Sequence, residues 1–148
     1  MPAIITKADL SEIEILNKIS IASKAYWGYP REWMEKWHDE LILKPSDFEN
    51  HTIFKIEEEG RIIGFCVMTE HPNTYEILHL WVLPDFIGKG YGKQLLYETI
   101  KQVVTKNKPI IVVADPNAEP FYASQGFVTF DRVESEPKGR FLPVMRRG

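Results

Sequence analysis

Pro84-Asp85-Phe86-Ile87-Gly88-Lys89-Gly90-Tyr91-Gly92-Lys93-Gln94-Leu95-Leu96 sets three glycines at alternate positions between an apolar, strand-like run and an amphipathic helix. Glycine lets the backbone approach a ligand with no Cβ in the way, and the free N–H groups of a helix start then point at an anion. The stretch therefore implies a ligand that carries phosphate. A dinucleotide fingerprint G-x-G-x-x-G begun at Gly88 needs glycine where Lys93 stands, and begun at Gly90 needs it where Leu95 stands. A P-loop needs Ser or Thr after Gly-Lys, yet Gly90 follows Lys89 and Gln94 follows Lys93. Both nucleotide readings weaken on those residues.

Working outward, Tyr75 to Leu83 reads as the strand entering the loop. The helix from about Gly90 carries Leu95, Leu96, Thr99, Ile100, Val103 and Val104 on one side. Ile110 to Ala114 is an unbroken apolar run of strand length. Strand, glycine loop, helix and strand form a unit whose crossover is expected to be right-handed, with its two strands parallel. Upstream, the pattern predicts a strand from Ala3 to Thr6 and helices from Asp9 or Ser11 to Lys24 and from Arg31 to about Leu43. Strands Thr52 to Glu57 and Arg61 to Thr69 are joined by a hairpin at Glu58-Glu59-Gly60. Pro116 to Gln125 is the last expected helix, before strands near Phe127 to Val133 and Arg140 to Met145.

Two partial motifs in this order resemble the GNAT N-acetyltransferase superfamily. Its pyrophosphate loop, (Gln/Arg)-x-x-Gly-x-(Gly/Ala), aligns with residues 87–92; Gly90 and Gly92 fit, and Ile87 replaces the polar first residue. Its Ala-x-x-Phe-Tyr-x-x-x-Gly-Phe segment is similar to the residues at Ala118, Phe121, Tyr122, Gly126 and Phe127. The resemblance implies an α+β (mixed α/β) fold, with a mostly antiparallel sheet of about seven strands flanked by about four helices. It implies acetyl-coenzyme A as donor and a small-molecule amine or amino acid as acceptor. Two other classes stay open: a non-catalytic acyl-CoA-binding module, and an acetyltransferase of protein N-termini or lysines.

By the same resemblance, Leu80 and Val82 offer main-chain groups to the pantetheine arm as an added strand would. Backbone amides of Ile87, Gly88, Lys89, Gly90, Tyr91, Gly92 and Lys93 hold the pyrophosphate, with Phe121 and Asn117 also on the cofactor. Asn117 is equally readable as a helix cap. Tyr122 fits the acid that protonates the leaving thiolate, against a packed tyrosine with a satisfied hydroxyl. Glu76 and His79 are the two candidates for the base, with water as a third route. In a regular strand these two side chains point to opposite faces, so only one reaches the acceptor unless a bulge intervenes. Tyr26, Trp27 and Tyr29, around the break at Gly28, are the expected acceptor contacts. Trp33 and Trp37, four apart, read first as packing.

Composition bounds the rest. A length of 148 residues with 44% apolar content suits one domain over residues 1–148. The net charge of −3 gives no basic patch for nucleic acid. Cys66 is the only cysteine, which rules out an internal disulfide, and no apolar run approaches a membrane span. No metal site is read. The expected setting is a reducing cytoplasm, with neither nucleic acid nor membrane as partner and with a homodimer left open.

Overall fold

A computed structural model describes residues 3–148. The chain runs β1 (Ile4–Lys7), α1 (Ile13–Ala25), α2 (Arg31–Leu41), α3 (Pro45–Asn50), β2 (Thr52–Glu58), β3 (Arg61–Glu70), β4 (Tyr75–Val82), α4 (Tyr91–Val103), β5 (Ile110–Val113), α5 (Glu119–Ser124), β6 (Val128–Ser135) and β7 (Arg140–Arg147). The seven strands form one sheet in the order β1-β2-β3-β4-β5-β7-β6. Only β4 and β5 run parallel, as the strand-helix-strand reading requires. Every other neighbouring pair is antiparallel. Among the described residues, no helix is long and apolar enough to cross a membrane.

Local chemistry accounts for most boundaries. Asp9 caps a 3-10 turn over Leu10–Glu12, with Glu12 bonding back to the Asp9 amide at 2.8 Å, and α1 proper then begins at Ile13. Glu59 and Gly60 take φ of 50° and 77°, the pair of positive values that a two-residue hairpin needs. Helix α3 is the element that periodicity does not foretell, so the α-helices number five among the described residues. It has six residues with little apolar character, and it starts because Pro45 sits at its first turn and Asp47 accepts from the Lys44 amide at 2.7 Å.

The sheet separates two apolar clusters. Between α4 and the sheet, Leu95 and Leu96 of the helix pack with Ile56, Ile63, Cys66, Met68, Tyr75 and Ile77. Between α1 and the other face, Leu16 and Ile19 of the helix pack with Leu43, Ile53, Phe65 and Val67. On α1 the buried positions Leu16, Ile19, Ser20 and Ser23 follow the helical repeat. The Ser20 hydroxyl donates to the Leu41 carbonyl at 2.7 Å, tying α1 to the end of α2.

Candidate active site

The β4–β5 ladder is short. It pairs Tyr75–Ile77 with Ile110–Val112 and then opens, β4 continuing to Val82 against β3 alone while Val113 stays with Val144 of β7. A cavity of about 510 Å³ fills the opening. Its two side walls are Leu78–Val82 of β4 and Val112–Asp115 of β5 and the turn after it. The Leu83 amide bonds the Ile63 carbonyl at 2.8 Å, so by alternation the Leu80 and Val82 amides face the open edge. The Val82 carbonyl already accepts the Ser23 hydroxyl at 3.1 Å, which leaves Leu80 with both main-chain groups free for a ligand.

At one end of the cavity is the glycine loop. Gly88 and Gly90 have φ of 80° and 86°, values that glycine adopts without strain, and Gly90 is the N-cap of α4. The first helical bond runs from Gln94 to Gly90 at 3.1 Å, leaving the Tyr91, Gly92 and Lys93 amides at the helix start for an anion. Ile87, Gly88, Gly90, Gly92 and Lys93 line the cavity, whereas Lys89 and Tyr91 send their side chains elsewhere. Lys89 lies 5.7 Å from the Phe86 ring, and the Tyr91 hydroxyl bonds Glu58. A Cβ on Gly92 would stand 3.5 Å from the Phe121 ring, an ordinary van der Waals contact, so this position tolerates alanine on packing grounds.

Midway along, Phe121 and Tyr122 form part of the wall. The Tyr122 ring is 5% exposed and packs edge-on against Phe121 and Phe127, with centroids 5.3 and 5.5 Å apart. Burial pushes its phenol well above the ordinary range, so the hydroxyl keeps its proton. Burial also pushes the Cys66 thiol up to about 12, and a covalent acetyl-cysteine route has no thiolate to start from.

Glu76 and His79 lie on the same face of the sheet, against the regular-strand expectation. Thr69 pairs with Glu76 and Val67 with His79, while Met68 between them pairs with Ile77; Leu78 is the extra residue of a bulge. The bulge gives the two side chains one face but not one site. Glu76 bonds His71 Nε2 at 2.8 Å and does not line the cavity. His79 does line it, and its Nδ1 accepts the Trp81 indole N–H at 3.1 Å, so the ring proton of the neutral form sits on Nε2. Burial pulls this imidazole down from 6.5 to about 4.

Of the expected acceptor contacts, Trp27 lines the cavity, and Tyr26, 54% exposed, stacks edge-on to it with centroids 5.1 Å apart but lies outside the wall. Tyr29 sits one layer behind, its hydroxyl 3.0 Å from Asp115 and accepting from Asn117 Nδ2 at 2.8 Å. Asp115 caps the 3-10 turn over Pro116–Ala118 through the Asn117 amide at 2.8 Å; Asn117 therefore is not the cap, and its side-chain oxygen stays available to a ligand. Trp37 is buried, and its indole donates to the Glu136 carbonyl at 2.8 Å, in keeping with a packing role.

Sequence reasoning missed Lys24, Asp115 and Arg140. They form a triad in which Lys24 pairs with Asp115 and Arg140 reaches the same oxygen at 3.3 Å. Burial, the largest single influence, would raise the Asp115 carboxyl, but the Lys24 ammonium together with the Asn117 amide and the Tyr29 hydroxyl holds the group below the ordinary carboxylate range. Asp115 ahead of Pro116 had a readable capping signal; Lys24 and Arg140 had none.

A family model described as Acetyltransferase (GNAT) family matches residues 18–127. The uncharacterized N-acetyltransferase ycf52 of Porphyra purpurea is 30% identical over 90 residues, covering 60% of this chain and 52% of that protein. The uncharacterized N-acetyltransferase MJ1207 of Methanocaldococcus jannaschii is 25% identical over 139 residues, covering 83% of this chain and 58% of its own. The chain spans a little over half the length of these relatives. The fold is shared with the PaiA N-acetyltransferase from Thermoplasma acidophilum in complex with coenzyme A, at a TM-score of 0.79 and 21% identity over 99% of both chains.

Proposed function

Since the chain belongs to the acetyltransferase (GNAT) family, we propose that it transfers an acetyl group from acetyl-coenzyme A to the amine of a small molecule or amino acid. One observation carries the reading. The opening between β4 and β5 leads from a free main-chain edge at Leu80 to the unbonded amides at the start of α4, which Gly90 caps. An extended amide-bearing arm fits the edge, a pyrophosphate fits the helix start, and the thioester between arm and acceptor falls beside Tyr122.

In the reaction, the neutral amine attacks the thioester carbonyl, a C–N bond forms, the C–S bond breaks, and the thiolate must take a proton. Tyr122 is the donor on that step, because its buried phenol is held protonated. His79 acts as a neutral donor through Nε2–H toward the acetyl oxygen or the acceptor, since Trp81 occupies its only lone pair. The acceptor's ammonium proton leaves to water before the attack, with Glu76 outside the cavity, and the second proton, shed by the nitrogen as the amide forms, returns through water to the Tyr122 phenolate.

Acetyl-coenzyme A at 100 times its dissociation constant should stabilise the protein by about 2.7 kcal/mol. ATP and NADH should give much smaller shifts in Tm. Equal stabilisation by ATP alone would return the loop to a nucleotide reading. A thiol-release screen over amines, amino acids and peptides then tests the chemistry. Coenzyme binding without thiol release from any acceptor would reduce the protein to a binding module.

His79 makes a separate expectation. Its folded pKa lies below its unfolded one, so the stability it contributes is intact above pH 6.5 and is lost as pH falls from 6.5 toward 4. The loss amounts to about 3 kcal/mol. Denaturant melts of the wild type and His79→Gln should differ in slope across that window. The pH at which acetylation accelerates should be the same in both; a shift of that limb in the variant would make His79 the base.

A further inference from the structure

Lys24 near the end of α1, Asp115 after β5 and Arg140 at the start of β7 each have side chains about one-tenth exposed, at 10%, 10% and 11%. Two cations share one carboxylate there, a formal excess of one positive charge, and burial pulls the Lys24 ammonium below its ordinary range. Glu40 on α2 is the next carboxylate felt by Lys24, and it lies out in solvent. Desolvated charge without a counter-ion is costly, and the fold offsets it only partly with aromatic faces. Lys24 Nζ is 4.7 Å and the Arg140 guanidinium 4.4 Å from the Trp37 ring.

Arg140 also holds donors in reserve. A single nitrogen makes both its side-chain bonds, to Asp115 and to the Tyr29 hydroxyl at 3.3 Å each. Among the described residues, its other two guanidinium nitrogens have no acceptor, although a guanidinium presents five N–H groups in a fork matched to carboxylate. The cluster meets the cavity at Asp115, whose side chain Arg140 bonds at 3.3 Å, while Lys24, Tyr29 and Arg140 stand just behind that wall. Asp115 and Asn117 are at once members of the network and parts of the cavity wall, and Trp27 lines the same cavity.

We propose that the acceptor amine carries a carboxylate, and that the forked donors of Arg140, backed by Lys24, receive it. Asp115 and Tyr29 fix the guanidinium, and the acceptor's negative charge completes the charge balance that the protein leaves open. The acceptor is thus an amino acid or another amine bearing an acid. The inference rests on the acetyltransferase reading, but its direct readout does not depend on turnover.

The test is calorimetric titration of coenzyme A-saturated protein with a set of L-amino acids, each beside its amide and its decarboxylated amine. At least one free acid should bind more tightly than its uncharged partners by about ten- to hundredfold. Arg140→Gln should remove that preference and leave the amide unchanged, and Arg140→Lys, which keeps charge without the fork, should fall between. A retained Tm shift with coenzyme A certifies that each variant is folded. If no acid in the set outbinds its amide, or if Arg140→Gln weakens acid and amide equally, the inference is overturned. Acids that bind selectively yet release no thiol from acetyl-coenzyme A would leave the inference standing and sink the acetyl-transfer reading. Thiol release from amines lacking a carboxylate, with kcat/KM equal to that of the acids, would do the reverse.

Discussion

Tyr122→Phe should lower turnover by roughly 10²- to 10⁴-fold while coenzyme binding changes little. The substitution keeps the ring that packs between Phe121 and Phe127, so the wall of the cavity stays in place. What it removes is one O–H at the position where a thiolate would be expelled. Two features favour the proposed role of that hydroxyl over packing alone. It lines the cavity while making no hydrogen bond to a described side chain, and burial keeps it protonated across the working pH range. A tyrosine that only packed would usually have spent its hydroxyl on a partner. The measurement is single-turnover acetylation, which isolates chemistry from release, with coenzyme affinity read in parallel. Wild-type single-turnover rates in the variant would show that the thiolate leaves without this acid.

The parts legible in the sequence were those set by local rules. Strand, glycine loop, helix and strand from Tyr75 to Val113 announce themselves because apolar period and glycine spacing lie in one continuous stretch. The features that shape the site's chemistry were harder to read. The bulge at Leu78 shows only as two adjacent apolar residues, Ile77 and Leu78, and its effect on Glu76 and His79 depends on the register against β3. The Lys24–Asp115 contact spans 91 positions and the Arg140–Asp115 contact 25, so no window of sequence holds either pair. Lys24 reads as the solvated last turn of α1 until Trp37 and Tyr29 close over it. Helix α3 escaped for another reason: a six-residue helix has too few positions to show a period, and its start rests on one proline and one capping carboxylate.

Gly64→Ala should be the most destabilising conservative change outside the chemistry, by about 2–3 kcal/mol, because it adds one methyl where two backbones meet. Gly64 lies in β3, opposite Val82 of β4 on one side and Ile56 of β2 on the other. A Cβ there would stand 2.5 Å from the Trp81 carbonyl oxygen and 3.2 Å from Ile56 Cγ2. The first of these atoms is backbone and cannot swing aside as a side-chain tip would. Relief requires β3 and β4 to separate at Trp81–Val82, the same segment that turns Leu80 and Val82 toward the cavity. Two effects should therefore appear together: a fall in Tm on the order of 5–10 °C and weaker binding of coenzyme A. Ile63→Val, one residue away and buried in the cluster under α4, separates the causes, since it removes a methylene from the core without crowding β4. It should lower Tm but leave coenzyme affinity intact. If Gly64→Ala melts like the wild type, the approach of Trp81 to β3 is looser than 2.5 Å implies. If it melts early yet binds coenzyme A normally, the edge of β4 does not hold the pantetheine arm.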